Sequence, residues 1–186
     1  MKIAIAVLLI TGLLSGCGAG DDAMDQAMAL RKRLLEADSC AFQAVVTADY
    51  ADALYTFQLE CETDNAGNLQ FTVTDPETIA GITGSISQDS AALTFDDKVL
   101  AFPMLADGEL TPVSAPWIFI NTLRCGYITG CSKEEKGLCI YIDDSFREKP
   151  LSLMLYTDQD CTPVFAEIVW QEQRILSVDV RYFTIQ

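Results

Sequence analysis

Apolar residues recur along this chain with two different periods, one typical of helices and one typical of strands. Over residues 22–37 they return at steps of three and four, as in Ala23, Ala27, Leu30 and Leu34, which predicts an amphipathic helix. From Cys40 onward the period is two, which is typical of half-buried antiparallel strands. Six strands are predicted before the next helix, over residues 40–50, 53–62, 69–74, 82–87, 91–95 and 99–102.

A second helix is predicted over residues 116–125, with Ser114 before it and Pro116 in its first turn. Its residues are apolar nearly all round, so the helix must be largely covered. Four more strands follow, over residues 138–143, 151–157, 164–170 and 175–183. The last two predict a hairpin around Glu172, in which Val164, Ala166, Ile168 and Trp170 face Leu176, Val178, Val180 and Tyr182.

These elements predict an α+β fold with a curled antiparallel sheet of about ten strands. A long antiparallel sheet twists and does not stay flat, so it curls into an open half-barrel. We expect the N-terminal helix to pack on this sheet, and the strongly apolar second helix to occupy the concave side.

The N-terminus indicates export and a lipid anchor. Lys2 precedes an apolar run over residues 3–14, which is too short to span a bilayer and is typical of a secretory signal. The Leu14-Ser15-Gly16-Cys17 ending resembles a bacterial lipobox, in which the Cys thiol receives diacylglycerol and the mature protein carries acyl chains such as palmitate. The alternative is an ordinary signal cleaved near Ala19, with Cys17 incidental.

The predicted organisation is therefore a signal peptide over residues 1–16, a lipidated Cys17 with a short tether over 17–21, and one domain over 22–186. Acylated Cys17 makes the lipid bilayer the first partner, since two or more acyl chains give a durable anchor. We expect the domain on the extracytoplasmic face of the cell membrane, or at the outer membrane of a diderm host.

Six cysteines remain after Cys17, and an even number in an exported chain predicts disulfides. The hairpin over residues 40–62 places Cys40 opposite or diagonal to Cys61 on one face, which favours that pair. The alternatives are free thiols, or zinc, although no close C-x-x-C pair is present. The disulfide candidates are Cys40, Cys61, Cys125, Cys131, Cys139 and Cys161.

Composition and charge exclude several functions. The chain has 12 Lys and Arg against 27 Asp and Glu, for a net charge of −15, so no basic face is available for nucleic acid. It contains no His, which removes the Ser-His and Cys-His nucleophile pairs and every His metal ligand. No G-x-S-x-G elbow, P-loop or G-x-G-x-x-G motif is present either. We therefore expect no enzyme activity, no cofactor and no metal site.

Four segments carry a family resemblance: 71–77 (FTVTDPE), 93–97 (LTFDD), 115–121 (APWIFIN) and 162–168 (TPVFAEI). With the order of elements behind a lipobox, they resemble the LolA/LolB-like fold of lipoprotein carriers and related envelope lipoproteins. The resemblance implies an open barrel with helices lining a hydrophobic cavity. It also implies binding of acyl chains or lipoproteins, or sensing of envelope lipoproteins.

The expected function is accordingly a non-enzymatic, membrane-anchored lipoprotein that binds a lipid or a lipoprotein acyl chain in a half-barrel cavity. The alternative is an envelope protein-interaction or sensor module with a solid core and no ligand. The residues that would line the cavity are aromatic: Phe42, Tyr55, Phe57, Phe71, Phe95, Trp117 and Phe119.

Overall fold

A computed structural model describes residues 19–50, 53–87, 91–94, 110–144 and 151–186. Within these ranges the chain forms two α-helices and ten strands. The helices are α1 (Ala19–Glu36) and α2 (Ala115–Cys125), the second entered through a short 3-10 turn at Pro112–Ser114. The strands are β1 (Ser39–Asp49), β2 (Leu54–Asp64), β3 (Leu69–Asp75), β4 (Thr83–Ile86), β5 (Ala91–Thr94), β6 (Tyr127–Glu134), β7 (Gly137–Asp144), β8 (Leu151–Thr157), β9 (Pro163–Trp170) and β10 (Gln173–Ile185).

All ten strands belong to one antiparallel sheet, in the order β5-β4-β3-β2-β1-β10-β9-β8-β7-β6. Two meanders run outward from the centre, where the first and last strands pair: Ala44 lies opposite Val180, and Val46 opposite Val178. β5 and β6 form the two edges of this order. The predicted α+β class, with an open curled sheet and two helices, is confirmed.

One face of the sheet carries the hydrophobic core, and we call it the core face. β1 shows why, because Phe42, Ala44, Val46 and Ala48 are buried while the residues between them are half-buried. The same alternation continues through β2, β3, β8 and β9. Both helices pack on this face. The opposite surface of the sheet is called the outer face.

The pattern of strands differs from the prediction at β6. The sequence predicts only a connection from α2 to the next strand over residues 127–134, because Ile128 is the one strong apolar residue there and Gly130 interrupts the alternation. In the structure they form an edge strand paired with β7, with an irregularity between Ile128 and Gly130. The strand predicted over residues 99–102 lies outside the described residues.

Two irregular positions also correct the predicted final hairpin. Tyr182 has a positive φ of 53° and is 81% exposed, whereas Phe183 contacts the core. Val164 is 39% exposed because the register between β8 and β9 shifts, so that Thr157 pairs with Pro163 and Tyr156 with Phe165. An extra residue in one strand turns the next side chain to the other face, so the prediction that Tyr182 and Val164 face each other inward was wrong.

Candidate functional site

The concave side of the half-barrel is covered by α1 and α2. The helix α1 buries one stripe, formed by Ala23, Ala27, Leu30 and Leu34. The helix α2 is buried on most of its surface, including Ile118, Phe119, Ile120 and Leu123. The expectation that an apolar helix occupies the concave side is confirmed, and both helices join the same core as the sheet.

Two arginines tie the helices to each other, and each one reaches the last turn of the other helix. Nε of Arg31 donates to the carbonyl of Leu123 at 2.7 Å, while Nη1 of Arg124 donates to the carbonyl of Leu34 at 3.2 Å. Nη2 of Arg124 also donates to the carbonyl of Asn65 at 2.7 Å. Carbonyls in a last helical turn have no partner within the helix, so these bonds satisfy acceptors that the helices leave open.

The guanidinium of Arg31 is held in an apolar setting. Its Nη2 is buried and has no hydrogen-bond partner among the described residues. Burial lowers the pKa of Arg31, against a smaller opposing effect of the Cys125 and Cys131 thiols. Arginine nevertheless stays charged in proteins, so a half-buried positive charge lies between α1 and the last turn of α2.

Of the seven aromatic residues predicted to line a cavity, four lie in the core: Phe42, Phe57, Phe71 and Phe119. Trp117 is partly buried against that core, Tyr55 is 44% exposed, and Phe95 lies outside the described residues. The structure therefore brings together the four core residues and Trp117, and it leaves Tyr55 at the surface, where its ring meets that of Tyr50. Their part in binding stays a prediction.

An aromatic cluster joins the sheet to α2. The rings of Phe42 and Phe119 meet edge-on with centroids 5.6 Å apart, and Phe183 lies 5.9 Å from Phe42 and 6.3 Å from Phe119. Phe183 was not among the predicted residues, because simple alternation turned Tyr182 inward in its place. The signal that could have found it is the run of two adjacent aromatic residues at the end of an alternating strand.

The six cysteines are free thiols in the structure, so the disulfide pairs stay a prediction. Cys40 and Cys61 share the core face and are offset by two residues, since Cys40 pairs with Thr63 and Phe42 with Cys61. Cys139 lies on the outer face, where the Tyr141 and Tyr156 hydroxyls hydrogen-bond to it and burial raises the pKa of its thiol. Cys131 and Cys161 are partly buried, and Cys125 is exposed.

The buried pair predicts slow thiol chemistry. Burial raises the pKa of Cys40 to about 12 and also raises the pKa of Cys61, and only the thiolate is nucleophilic. At pH 8 we expect iodoacetamide to modify exposed Cys125 quickly and to leave Cys40 and Cys61 unmodified until urea unfolds the chain. Peptide mass spectrometry measures this, and a pair that resists alkylation even in urea without reductant would be a disulfide.

The outer face carries a different feature, a polar groove of about 530 Å³ across β1 to β4. The side chains that line the groove alternate along each strand with the residues that point to the core face. The side chains that form it include two carboxylates, one amide and three hydroxyls: Glu60, Glu62, Gln70, Thr72, Thr83 and Ser85. Among the described residues, no Lys or Arg lines this groove. It has the chemistry to meet a cationic or hydrogen-bonding surface and not an acyl chain.

Comparison with known proteins gives distant structural likenesses. No family model and no curated protein matches the sequence. A conserved protein from Thermus thermophilus is similar at a TM-score of 0.45 and 10% identity, covering 86% of this chain and 87% of that one. A LolA superfamily protein from Nitrosomonas europaea is similar at 0.44 and 8%, covering 86% and 93%. LprF from Mycobacterium bovis is similar at 0.38 and 12%, covering 89% and 95%.

Each of these similarities concerns the fold and is distant. The architecture itself is established by the strand order and by the helices on the core face. Neither described helix is both long and apolar enough to cross a membrane.

Proposed function

We propose that this protein is a lipid-anchored, non-enzymatic binding domain of the cell envelope, and that its half-barrel takes an apolar ligand such as a lipid or a lipoprotein acyl chain. The observation that carries the proposal is the apolar core face beneath a cover of two helices. Acylated Cys17 would hold the domain at the bilayer, since helix α1 begins at Ala19, two residues further on.

A ligand can enter by loosening the cover without expelling it. An acyl chain against the core face keeps that face buried, but the displaced side chains of α2, such as Ile118 and Phe119, must stay in contact with the chain to remain out of water. The specific polar ties to be broken are the arginine–carbonyl bonds of Arg31 and Arg124. Hydrogen bonds to charged groups contribute about 1.5–3 kcal/mol each when buried, and less where solvent reaches them.

The absence of His from the whole chain supports a non-enzymatic role. The side chain most often used as a general base is missing, and with it the usual activation of Ser and Cys nucleophiles. The buried thiols Cys40 and Cys61 have raised pKa values, which makes them poor nucleophiles.

A second candidate function is supported by two observations. Phe42, Phe119 and Phe183 already fill part of the concave side by contacting one another. The acidic groove on the outer face offers a separate surface, with Glu60 and Glu62 beside hydroxyl groups. In this alternative the domain is an interaction or sensor module, and the groove meets a basic segment of an envelope protein.

The test is native mass spectrometry of the full chain, extracted from bacterial membranes in a mild detergent. We expect the wild type to carry a non-covalent mass of lipid size in addition to its covalent anchor. In the double variant Arg31→Gln/Arg124→Gln, we expect the free energy of unfolding to fall by about 2–3 kcal/mol, and bound lipid to exchange at least fivefold faster because the cover is loosened.

The matched control is Lys136→Gln, which removes one exposed positive charge in the turn between β6 and β7. It should change neither stability nor lipid exchange. If wild type and double variant both show only the mass of the anchored protein, the apolar-ligand proposal is wrong and the interaction module with its acidic groove takes its place.

A further inference from the structure

The polar groove on the outer face has a regular layout, which follows from the register of its strands. Two rows of side chains cross β1 to β4 side by side: Gln43, Glu60, Thr72 and Thr83 form one row, and Ala41, Glu62, Gln70 and Ser85 form the other. With about 4.8 Å between neighbouring strands, each row is about 14 Å long. The groove volume of about 530 Å³ lies within the range of binding clefts, about 300–1,000 Å³.

The polar side chains of this groove have no hydrogen-bond or ion-pair partner among the described residues. Polar pairs beside the groove on the same face behave differently. Thr47 and Thr56 share a hydrogen bond at 3.3 Å, and Nε2 of Gln58 donates to Oγ1 of Thr74 at 3.0 Å. The groove therefore presents carboxylate, amide and hydroxyl groups that are available to a partner.

Charge complementarity selects a cationic partner. Glu60 and Glu62 are exposed, and each carries a negative charge that no described cation pairs with. By register, Arg181 lies opposite Gln43 and thus two strands from Glu60, so the cation of β10 is beyond the groove. The amide and hydroxyl groups of the two rows both donate and accept hydrogen bonds, which suits a polar segment and not an apolar chain.

The two carboxylates also define a spacing. Residues two positions apart on a strand lie on the same face, about 6.6–6.8 Å from each other. The alternate side chains of an extended partner segment have the same spacing, so Lys or Arg two positions apart in that segment can each meet one glutamate. Basic residues one or three positions apart point to opposite sides of an extended segment, so only one of them can reach the groove.

We propose that the outer-face groove docks an extended segment of a partner protein, laid along β2, with lysine or arginine at alternate positions. The inference rests on the second candidate function above, and it names the conformation and the charge spacing of the partner. Because both helices pack on the core face, this segment and an apolar ligand would occupy opposite faces of the sheet and would not compete.

The experiment is fluorescence anisotropy with the full chain in a nonionic detergent and labelled twelve-residue peptides. Each peptide contains four lysines among serines and threonines, at every second position in one peptide and at every third position in the other. In about 20 mM salt we expect the alternating peptide to bind about threefold more tightly, since it gains one further exposed ion pair. In about 500 mM salt, screening should abolish the difference.

Two double variants localise the binding. Glu60→Gln/Glu62→Gln should raise the Kd of the alternating peptide about tenfold in low salt, because both ion pairs are lost and screening is weak. The matched control is Glu135→Gln/Glu172→Gln, which removes the same charge at two exposed glutamates in turns outside the groove. It should leave the Kd within about twofold of the wild type.

The outcomes separate this inference from the function on which it rests. Equal weakening by the two double variants would mean that the peptide responds only to the net charge of the domain, and would overturn the groove assignment. Equal affinity of the two peptides, with weakening confined to Glu60→Gln/Glu62→Gln, would overturn the alternating spacing and leave the acidic groove of the second candidate function standing. If neither peptide binds the wild type in low salt, both proposals fail.

Discussion

Replacing Phe119 with Ala is expected to cost about 3–5 kcal/mol of the free energy of unfolding, the range found for truncating a buried aromatic residue. Phe119 has no exposed surface and meets both Phe42 and Phe183. Edge-to-face ring pairs add about 0.5–1.5 kcal/mol beyond the area that they bury. Because domains of this kind are stable by about 5–15 kcal/mol in total, the variant should be marginally folded.

The measurement is urea unfolding of the full chain in detergent, followed by the fluorescence of Trp117 and Trp170. Tyr55→Ala is the matched control: Tyr55 was also a predicted cavity residue, but it is 44% exposed and should cost about 1 kcal/mol or less. A cost below about 1.5 kcal/mol for Phe119→Ala would contradict a well-packed core at this point and would indicate space for a ligand beneath α2.

Replacing Gly137 with Ala should be nearly as damaging, for a reason of space. A Cβ atom at this position would overlap the backbone carbonyl oxygens of Thr157 and Asp158. Both contacts are with backbone, so no side chain can rotate away. Next to Gly137, the N–H of Leu138 donates a buried hydrogen bond to Oγ1 of Thr157 at 3.0 Å. A displacement of β7 would break that bond.

We expect Gly137→Ala to lower the free energy of unfolding by about 3 kcal/mol, at the upper end of the range for overpacking. Gly130→Ala in the adjacent strand is the control, because the nearest atom to its added Cβ is Cδ2 of Tyr141 at 3.8 Å. That substitution should stay within about 0.5 kcal/mol of the wild type. Equal stability of the two variants in urea unfolding would contradict the close approach of β7 to the end of β8.

The local sequence pattern was sufficient to predict those elements that bury a single face. The alternation of Phe42, Ala44, Val46 and Ala48 predicted β1, and the structure buries all four. The steps of three and four in 22–37 predicted α1, which the structure places at Ala19–Glu36. These predictions succeeded because burial of one stripe depends only on residues near in sequence.

The sequence pattern gave a wrong prediction where irregular strand pairing interrupts the alternation of inward and outward side chains. Tyr182 and Val164 follow the period of two, but irregularities beside β1 and β8 turn both to the surface. Adjacent aromatic residues mark the end of β10, but the local sequence does not show which of them turns inward, because a bulge is set by the register of the neighbouring strand. The edge strand β6 was missed for a related reason: an edge strand is held by one neighbour and needs less apolar alternation of its own.

The candidate site also contains residues that the sequence predicted and contacts that it could not predict. Of the seven aromatic residues predicted for the concave side, four are buried in the core: Phe42, Phe57 and Phe71 on the sheet and Phe119 on α2. The arginine ties could not have been predicted, since Arg31 and Arg124 bond to carbonyls about ninety residues away. A carbonyl acceptor carries no side-chain signature, so its partner is visible only in three dimensions.

The sequence by itself predicted most of the elements and the face that most of them bury, because these depend on short-range periodicity. The lipid anchor at Cys17, read from a contiguous motif, stays a prediction. Only the tertiary structure decided that β1 and β10 meet at the centre of the sheet. It also turned Phe183 toward the core and joined α1 to α2 through Arg31 and Arg124. Those features arise from contacts between segments far apart in the chain, where the closure of long loops and the register of strands are settled by the packing of the whole core.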